Sequence, residues 1–388
     1  MEIELNSRES AILEEVRRFL KSEVTPELLA ESHHLEYIYG GEEGRKFVRK
    51  FAANGWLTPC WPEEYGGLNS SEMLMYAIRN EMAYARVPIH FAGAHMAGPS
   101  ILRYGNDDLK KNYLLRLASG EIEFALGYSE PAAGSDLMGL EMRAADKGDH
   151  LIVNGQKTFN THAHVADYHW LAVRTNLEGP KHKGISILIV DLKSPGITIR
   201  PMITMAGTRT NEVFYDDVVV PRANLVGEIN SGFKYIMAAL DFERMFPFGH
   251  YKKFYEDLVA YLKTVTRNGM PLTKDPLVRQ KLAQLEIELE IIHHLYFQLA
   301  HMLDNGKIPN YQASMEKNFL TDFEQRLANT ALEILGARGQ LREGANGAIL
   351  DGLPEWLYRW TVIETIYGGT AEIQRNIMAQ RGLGLPRA

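Results

Sequence analysis

A chain of 388 residues, 45% hydrophobic and 23% charged, is long enough for two or three domains with a large buried core and has the composition of an ordinary soluble globular protein. Its net charge of −7, with no lysine or arginine run longer than a pair, offers no basic footprint for nucleic acid. The single cysteine, Cys60, excludes an internal disulfide and fits a reducing compartment, so the expected address is the cytoplasm.

The acidic start Met1-Glu2-Ile3-Glu4-Leu5 reads as neither a signal peptide nor an arginine-rich transit peptide. Residues 1 to about 120 read as helical. Asn6 is a candidate N-cap with Glu9 three residues on, and Leu13, Val16 and Leu20 follow at helical spacing. Further helices are expected at about 42–54, 70–86 and 107–118, separated by glycine and proline loops. From about 121 the pattern turns to strands, at 150–155, 168–173, 185–190 and 213–220, which predicts a small sandwich or barrel. The longest apolar run, residues 184–190, is far short of the roughly 20 residues that cross a bilayer, so no membrane anchor is expected. From about 229 the chain is helical again, with Leu282, Leu285, Leu289, Ile292 and Leu295 marking one buried stripe and residues 267–276 forming a loop rich in turn formers. These changes of pattern divide the chain into 1–120, 121–228 and 229–388, an α+β architecture in which helices precede and follow the strands.

Two segments in the middle could carry chemistry. In Ala125-Leu126-Gly127-Tyr128-Ser129-Glu130-Pro131-Ala132-Ala133-Gly134-Ser135-Asp136, small residues, amides and hydroxyls follow an apolar strand, as is needed where backbone lies close to a flat polar ring; a plain strand-to-loop connection reads the same way. In Asn154-Gly155-Gln156-Lys157-Thr158-Phe159-Asn160-Thr161-His162, an aromatic stands two residues before a hydroxyl, so one could stack while the other hydrogen-bonds. Together with FYDDVVVPRANLVGEINSGF (214–233), ALEILGARGQL (331–341) and IYGGTAEIQRNIMAQRGLGLPR (366–387), in this order over nearly the whole chain, these segments resemble the acyl-CoA dehydrogenase family of flavoproteins.

The resemblance implies an N-terminal helical domain, a middle β-domain of barrel or sandwich type and a C-terminal four-helix bundle, with FAD between the last two. It also implies a homotetramer, or a heterotetramer with a related chain, in which the adenine end of FAD reaches a neighbouring subunit. By the same resemblance Tyr128 and Ser129 would meet the polar edge of the flavin through backbone and hydroxyl, Phe159 would cover one ring face in place of the usual tryptophan, and Thr161 would bond N5. Ser135 would meet the CoA portion of the substrate. Glu333, Thr370 and Glu372 would contact the ribityl, phosphate or adenosine parts, the carboxylates serving sugar hydroxyls because they repel a pyrophosphate. Arg267 would supply a cation, although Asn268-Gly269-Met270 replaces the Phe-Gly pair that follows this arginine in relatives.

The family's reaction removes the α-proton of an acyl-CoA thioester with a carboxylate while the β-hydrogen leaves as hydride to flavin N5, and electrons pass on to an electron-transfer flavoprotein. Many members carry that carboxylate immediately before the terminal Gly-Thr, where this chain has Gly368. A second branch, isovaleryl-CoA dehydrogenase among it, places the base on a bundle helix in a Leu-Asp-x-Glu-Arg-like stretch, and Leu240-Asp241-Phe242-Glu243-Arg244 matches it. An arbitrary helical glutamate is a solvated or ion-paired residue. Its match to this position makes Glu243 the candidate base, with Asp241 and Arg244 shaping the substrate pocket. Gly368 then reads as the N–H donor for the thioester oxygen, or as a turn glycine needed only for its backbone.

His162, His164, His293 and His294 lack cysteine partners and i, i+4 spacing, so no metal site is expected. Gly336-Ala337-Arg338-Gly339 follows a helix and is not a dinucleotide fingerprint. The aromatics Phe246, Phe248 and Tyr251, like His90, Phe91, His95 and Met96, read as core or as acyl-pocket lining. Two other functions remain open at this level: a flavin monooxygenase or oxidase on the same fold, and a weakly active subunit of a mixed tetramer. The acyl group, straight, branched, cyclic or steroid-like, is open as well.

Overall fold

The computed structural model describes residues 5–34, 41–243 and 246–386, with the backbone alone at 33–34 and 238–243. Two compact units emerge, one made of Ala11–Met75 and Arg86–Glu243, the other of Met1–Ser10, Tyr76–Ala85 and Arg244–Ala388.

The first unit is built on a seven-stranded sheet: β1 Phe124–Gly127, β2 Arg143–Asp146, β3 His150–Lys157, β4 Tyr168–Arg174, β5 Ile185–Asp191, β6 Ile197–Ile203 and β7 Arg209–Pro221. β4 pairs antiparallel with β5 and parallel with β1 and β2; β2, β3, β7 and β6 then follow as antiparallel neighbours. The four expected strands are present as β3, β4, β5 and β7. β2 and β6 were not expected, and their sequences show why. β2 is the short polar Arg143-Ala144-Ala145-Asp146, and β6 is an edge strand with several exposed positions and Pro201 within it, which an edge tolerates.

β4 and β5 are nearly continuous apolar runs because both of their faces are covered. Leu171, Val173, Leu188 and Val190 join Leu151, Val153, Val213 and Val218 in a core inside the curled sheet. The intervening Trp170, Ile187 and Ile189 pack outward against Trp61, Ile101, Leu114 and Leu117 of the N-terminal helical segment and Tyr235 and Ile236 of the helix Gly232–Glu243.

In the second unit the helix Tyr311–Leu335 packs against Gly249–Thr264, Pro276–Asp304 and Leu353–Glu364, the expected helical bundle. Leu282, Leu285, Leu289 and Ile292 are buried as the stripe predicts, and Leu295 is half-buried. The loop at 267–276 contains a small hairpin, Thr266–Arg267 against Met270–Pro271, turning at Asn268 (φ 53°) and Gly269 (φ 76°). Asp275 then caps the 29-residue helix, its Oδ1 accepting from the N–H of Leu277 at 2.9 Å. The expected cap of the first helix, Ser7–Glu23, is also present: Glu9 N–H donates to Asn6 Oδ1 at 3.0 Å and Asn6 N–H to Glu9 Oε2 at 3.3 Å.

Candidate active site

On the sheet, β1 ends at Gly127, where a Cβ would fall 2.5 Å from His169 Nε2, so the strand passes this ring only as glycine. The chain continues through Tyr128, Ser129 and Glu130, and a buried ion pair anchors it. Lys157 Nζ donates to Glu130 Oε1 at 2.7 Å and to the Tyr128 carbonyl at 3.1 Å. Glu130 also accepts the N–H groups of Glu141 at 2.6 Å and Met142 at 3.0 Å. Burial pushes the Lys157 ammonium down to about 8, against the pull of Glu130.

The loop after β3 is bolted to the same place. Thr158 N–H donates to the Ser129 carbonyl at 2.9 Å, and Asn160 Nδ2 to the Leu126 and Thr158 carbonyls at 3.1 Å each. Asn211 Nδ2 donates to the Asn160 carbonyl at 2.8 Å. These clamps hold two non-glycine residues at positive φ, Phe159 (55°) and His162 (75°), which is stored backbone strain. The Phe159 ring, held there, is 63% exposed. Thr161 is exposed two residues on, its Oγ1 3.2 Å from Thr210 Oγ1. Burial holds the His162 and His164 imidazoles down to about 3 and about 4, so both are neutral near pH 7.

Tyr128, Ser129, Phe159 and Thr161 are therefore brought together. The Tyr128 hydroxyl faces inward and accepts from Trp170 Nε1 at 3.0 Å, so the hydroxyl is not the part offered to a ligand. Ser135 lies on an exposed loop beyond the Glu130–Ala133 turn, next to Asp136.

In the bundle, Gly368 (φ 62°) and Gly369 (φ 88°) turn the chain from the helix Leu353–Glu364 into the helix Ala371–Ile377, which Thr370 caps by accepting from Ile373 N–H at 3.3 Å. Gln374 Nε2 donates to the carbonyls of Gly368 at 2.9 Å and Gly369 at 3.1 Å. Lys317 Nζ donates to the carbonyls of Glu364 at 3.1 Å and Gly369 at 2.9 Å and stands over the Tyr367 ring. Among the described residues, no acceptor meets the N–H of Gly368. Around Lys317, burial pushes the Glu316 and Glu324 carboxyls well up and raises Glu364.

Asp241, Glu243 and Arg244 lie outside the described residues, apart from the backbone of the first two in the helix Gly232–Glu243. The chain just beyond them is placed: Phe246 packs edge-on against the Tyr367 ring at 5.5 Å, and its Cζ lies 3.5 Å from where a Cβ on Gly368 would stand. At another end of the bundle, Arg267 Nη2 donates to the Ile334 carbonyl at 3.4 Å, beside Glu333, which is paired with Lys281. Glu372 is exposed, its carboxyl held low first by its own backbone amide and then by the Thr370 hydroxyl.

Sequence reasoning missed Lys157, Asn160, Asn211, Lys317 and Gln374. A signal existed for Lys317, since Glu316, Lys317 and Glu324 share the apolar stripe formed by Ala313, Leu320, Leu327 and Ala331.

Models of the acyl-CoA dehydrogenase N-terminal, middle and C-terminal domains match residues 6–121, 125–218 and 230–383. The chain belongs to the acyl-CoA dehydrogenase family. It is similar to acyl-CoA dehydrogenase FadE26 of Mycobacterium tuberculosis, at 36% identity over all of both chains. Among solved structures it is similar to the Tcur3481-Tcur3483 steroid ACAD (TM-score 0.92, 35% identity, all of both chains) and to the ChsE4-ChsE5 complex from Mycobacterium tuberculosis (TM-score 0.91, 35% identity, all of both chains). The protein is an oxidoreductase, an FAD-dependent acyl-CoA dehydrogenase with the family fold. The residues present fit that cofactor: an exposed, strained aromatic beside an exposed hydroxyl suits a flat ring with a polar edge. No helix among the described residues is long and apolar enough to cross a membrane.

Proposed function

We propose that this acyl-CoA dehydrogenase uses Glu243 as its base and the Gly368 N–H as a donor to the thioester oxygen. The observation that carries this reading is Phe246, three residues past Glu243, packed against Tyr367 and the open side of Gly368. Glu243 stands three residues before this packed ring in the chain, and that nearness in sequence supports the pairing of its carboxylate with the glycine turn. The α-proton is weakly acidic, so removing it depends on stabilising the negative charge that gathers on the thioester oxygen, and an N–H that meets no acceptor among the described residues suits that task.

Tyr128 backbone, Ser129, Phe159 and Thr161 hold the flavin ring; Arg267, Glu333, Thr370 and Glu372 hold its ribityl and adenosine parts. When bound, FAD supplies the acceptor for the β-hydride. Ser135 and Arg244 bind substrate, Asp241 helps shape its pocket, and 1–120, 121–228 and 229–388 act as the three domains.

The substrate is the CoA thioester of an acid bearing a ring system. Support comes from the solved relative titled a steroid ACAD, aligned over its full length. The same two-chain relatives support assembly with a related chain over a homotetramer, and exposed Ile287, Ile291, Tyr358 and Val362 offer apolar surface for it. Electrons leave to an electron-transfer flavoprotein, and the protein works in the cytoplasm.

The test is anaerobic bleaching of the bound flavin with a panel of straight-chain, branched, alicyclic and steroid side-chain acyl-CoA thioesters. It is run on the chain alone and after co-expression with a related chain from the same genome. Fastest bleaching with the ring-bearing thioesters supports the substrate class; a preference for straight chains removes it, and rapid oxygen consumption in air points to an oxidase instead.

A further inference from the structure

Resting on that reading of Gly368, we infer that Lys317 and Gln374 are positioning residues that lock the glycine turn so that the Gly368 N–H stays presented to the thioester oxygen. Consecutive glycines at φ 62° and 88° are the least restrained backbone a chain can have, and left alone their peptide planes would turn over among several orientations. An oxyanion donor needs the opposite, a dipole already aimed before charge develops.

The peptide that carries the Gly368 N–H is held from both sides. On its N-terminal side Tyr367 N–H donates to the Ile363 carbonyl at 3.1 Å, and Lys317 Nζ holds the Glu364 carbonyl. On its C-terminal side Gln374 Nε2 takes the Gly368 and Gly369 carbonyls, and Lys317 Nζ takes the Gly369 carbonyl as well. Both side chains are 1% exposed. Burying an amine and an amide this deeply is costly unless each donor is used, and each bonds this turn. The Lys317 stem passes 3.5 Å from the place a Cβ on residue 368 would occupy, so it runs directly beside the turn whose carbonyls it bonds.

The experiment compares Lys317→Met and Gln374→Leu with the wild-type FAD-loaded enzyme. It reads FAD content, the melting temperature, the Kd of a CoA thioester, the rate of anaerobic bleaching, and the infrared carbonyl stretch of a bound enoyl-CoA thioester. A positioning role predicts folded variants that keep FAD and bind the thioester within about threefold, yet bleach about tenfold or more slowly, with the carbonyl band moved back toward its solution frequency. An unchanged band and rate in either folded variant overturns the inference. If Lys317→Met does not fold, Gln374→Leu carries the same prediction, because it removes the donor to the Gly368 and Gly369 carbonyls, the second of which Lys317 also bonds, without touching the buried charge. A wild-type enzyme that itself leaves the bound carbonyl at its solution frequency overturns the reading of Gly368, and the inference with it; variants that behave as a polarising wild type overturn the inference alone.

Discussion

At Gly368 a side chain would meet Lys317 Cε and Phe246 Cζ at 3.5 Å, an ordinary contact distance, so crowding at Cβ does not exclude one. The backbone weighs against it: a φ of 62° costs an L-residue roughly 1–2 kcal/mol, and any longer side chain would have to share its space with the Phe246 ring. The proposed base, Glu243, would require no side chain at 368. Glu243→Gln is therefore expected to fold and stay yellow while its flavin bleaches about 10²–10⁴-fold more slowly with substrate, measured by anaerobic stopped flow. Bleaching at the wild-type rate would move the base elsewhere. The sequence made Glu243 and Gly368 visible because their neighbours match a known pattern, whereas Gln374 looks like an ordinary polar helix residue and Lys317 only like a charge on an apolar stripe until the fold puts both under one turn.

β1 shows how an element is set by what it must pass. Its first residue follows Glu123, a buried carboxyl that accepts the Phe124 N–H at 2.8 Å and also takes the Gly93 N–H. Burial, only partly offset by those two amides, pushes Glu123 up to about 8 from its ordinary 4.5. Between about pH 4.5 and 8 the unfolded chain has released a proton that the folded chain still holds, so this group's stabilisation is full below about 4.5 and declines as pH rises through 8. Glu123→Gln removes that titration. Its melting temperature relative to wild type is expected to rise between about pH 5 and pH 8, by a few degrees for each ~1 kcal/mol involved; a constant difference would assign the pH dependence to other groups. Strand patterning revealed β3, β4, β5 and β7, but β2 and β6 only pair because neighbours present free edges, which no local run of residues announces.

For the whole molecule, family membership spans residues 6–383 across the three domain matches, and of the solved relatives cited above one is titled a complex and the other carries a paired name. If a neighbouring subunit completes the adenine end of the FAD site, dilution that dissociates the assembly should release flavin in step, read by light scattering and flavin fluorescence. Monomers that keep all their FAD would count against a shared site. The sequence by itself determined the class of protein, the helix–strand–helix order, the bundle stripe and the glycine turn, since caps, periodicity and short motifs are local properties of a chain. Tertiary structure alone decided that Tyr128 turns its hydroxyl inward to Trp170, that Lys157 anchors the loop beneath it, and that Lys317 and Gln374 clamp Gly368 and Gly369. Those partners are separated in sequence by up to 52 residues, and only folding pays the entropy of bringing them together.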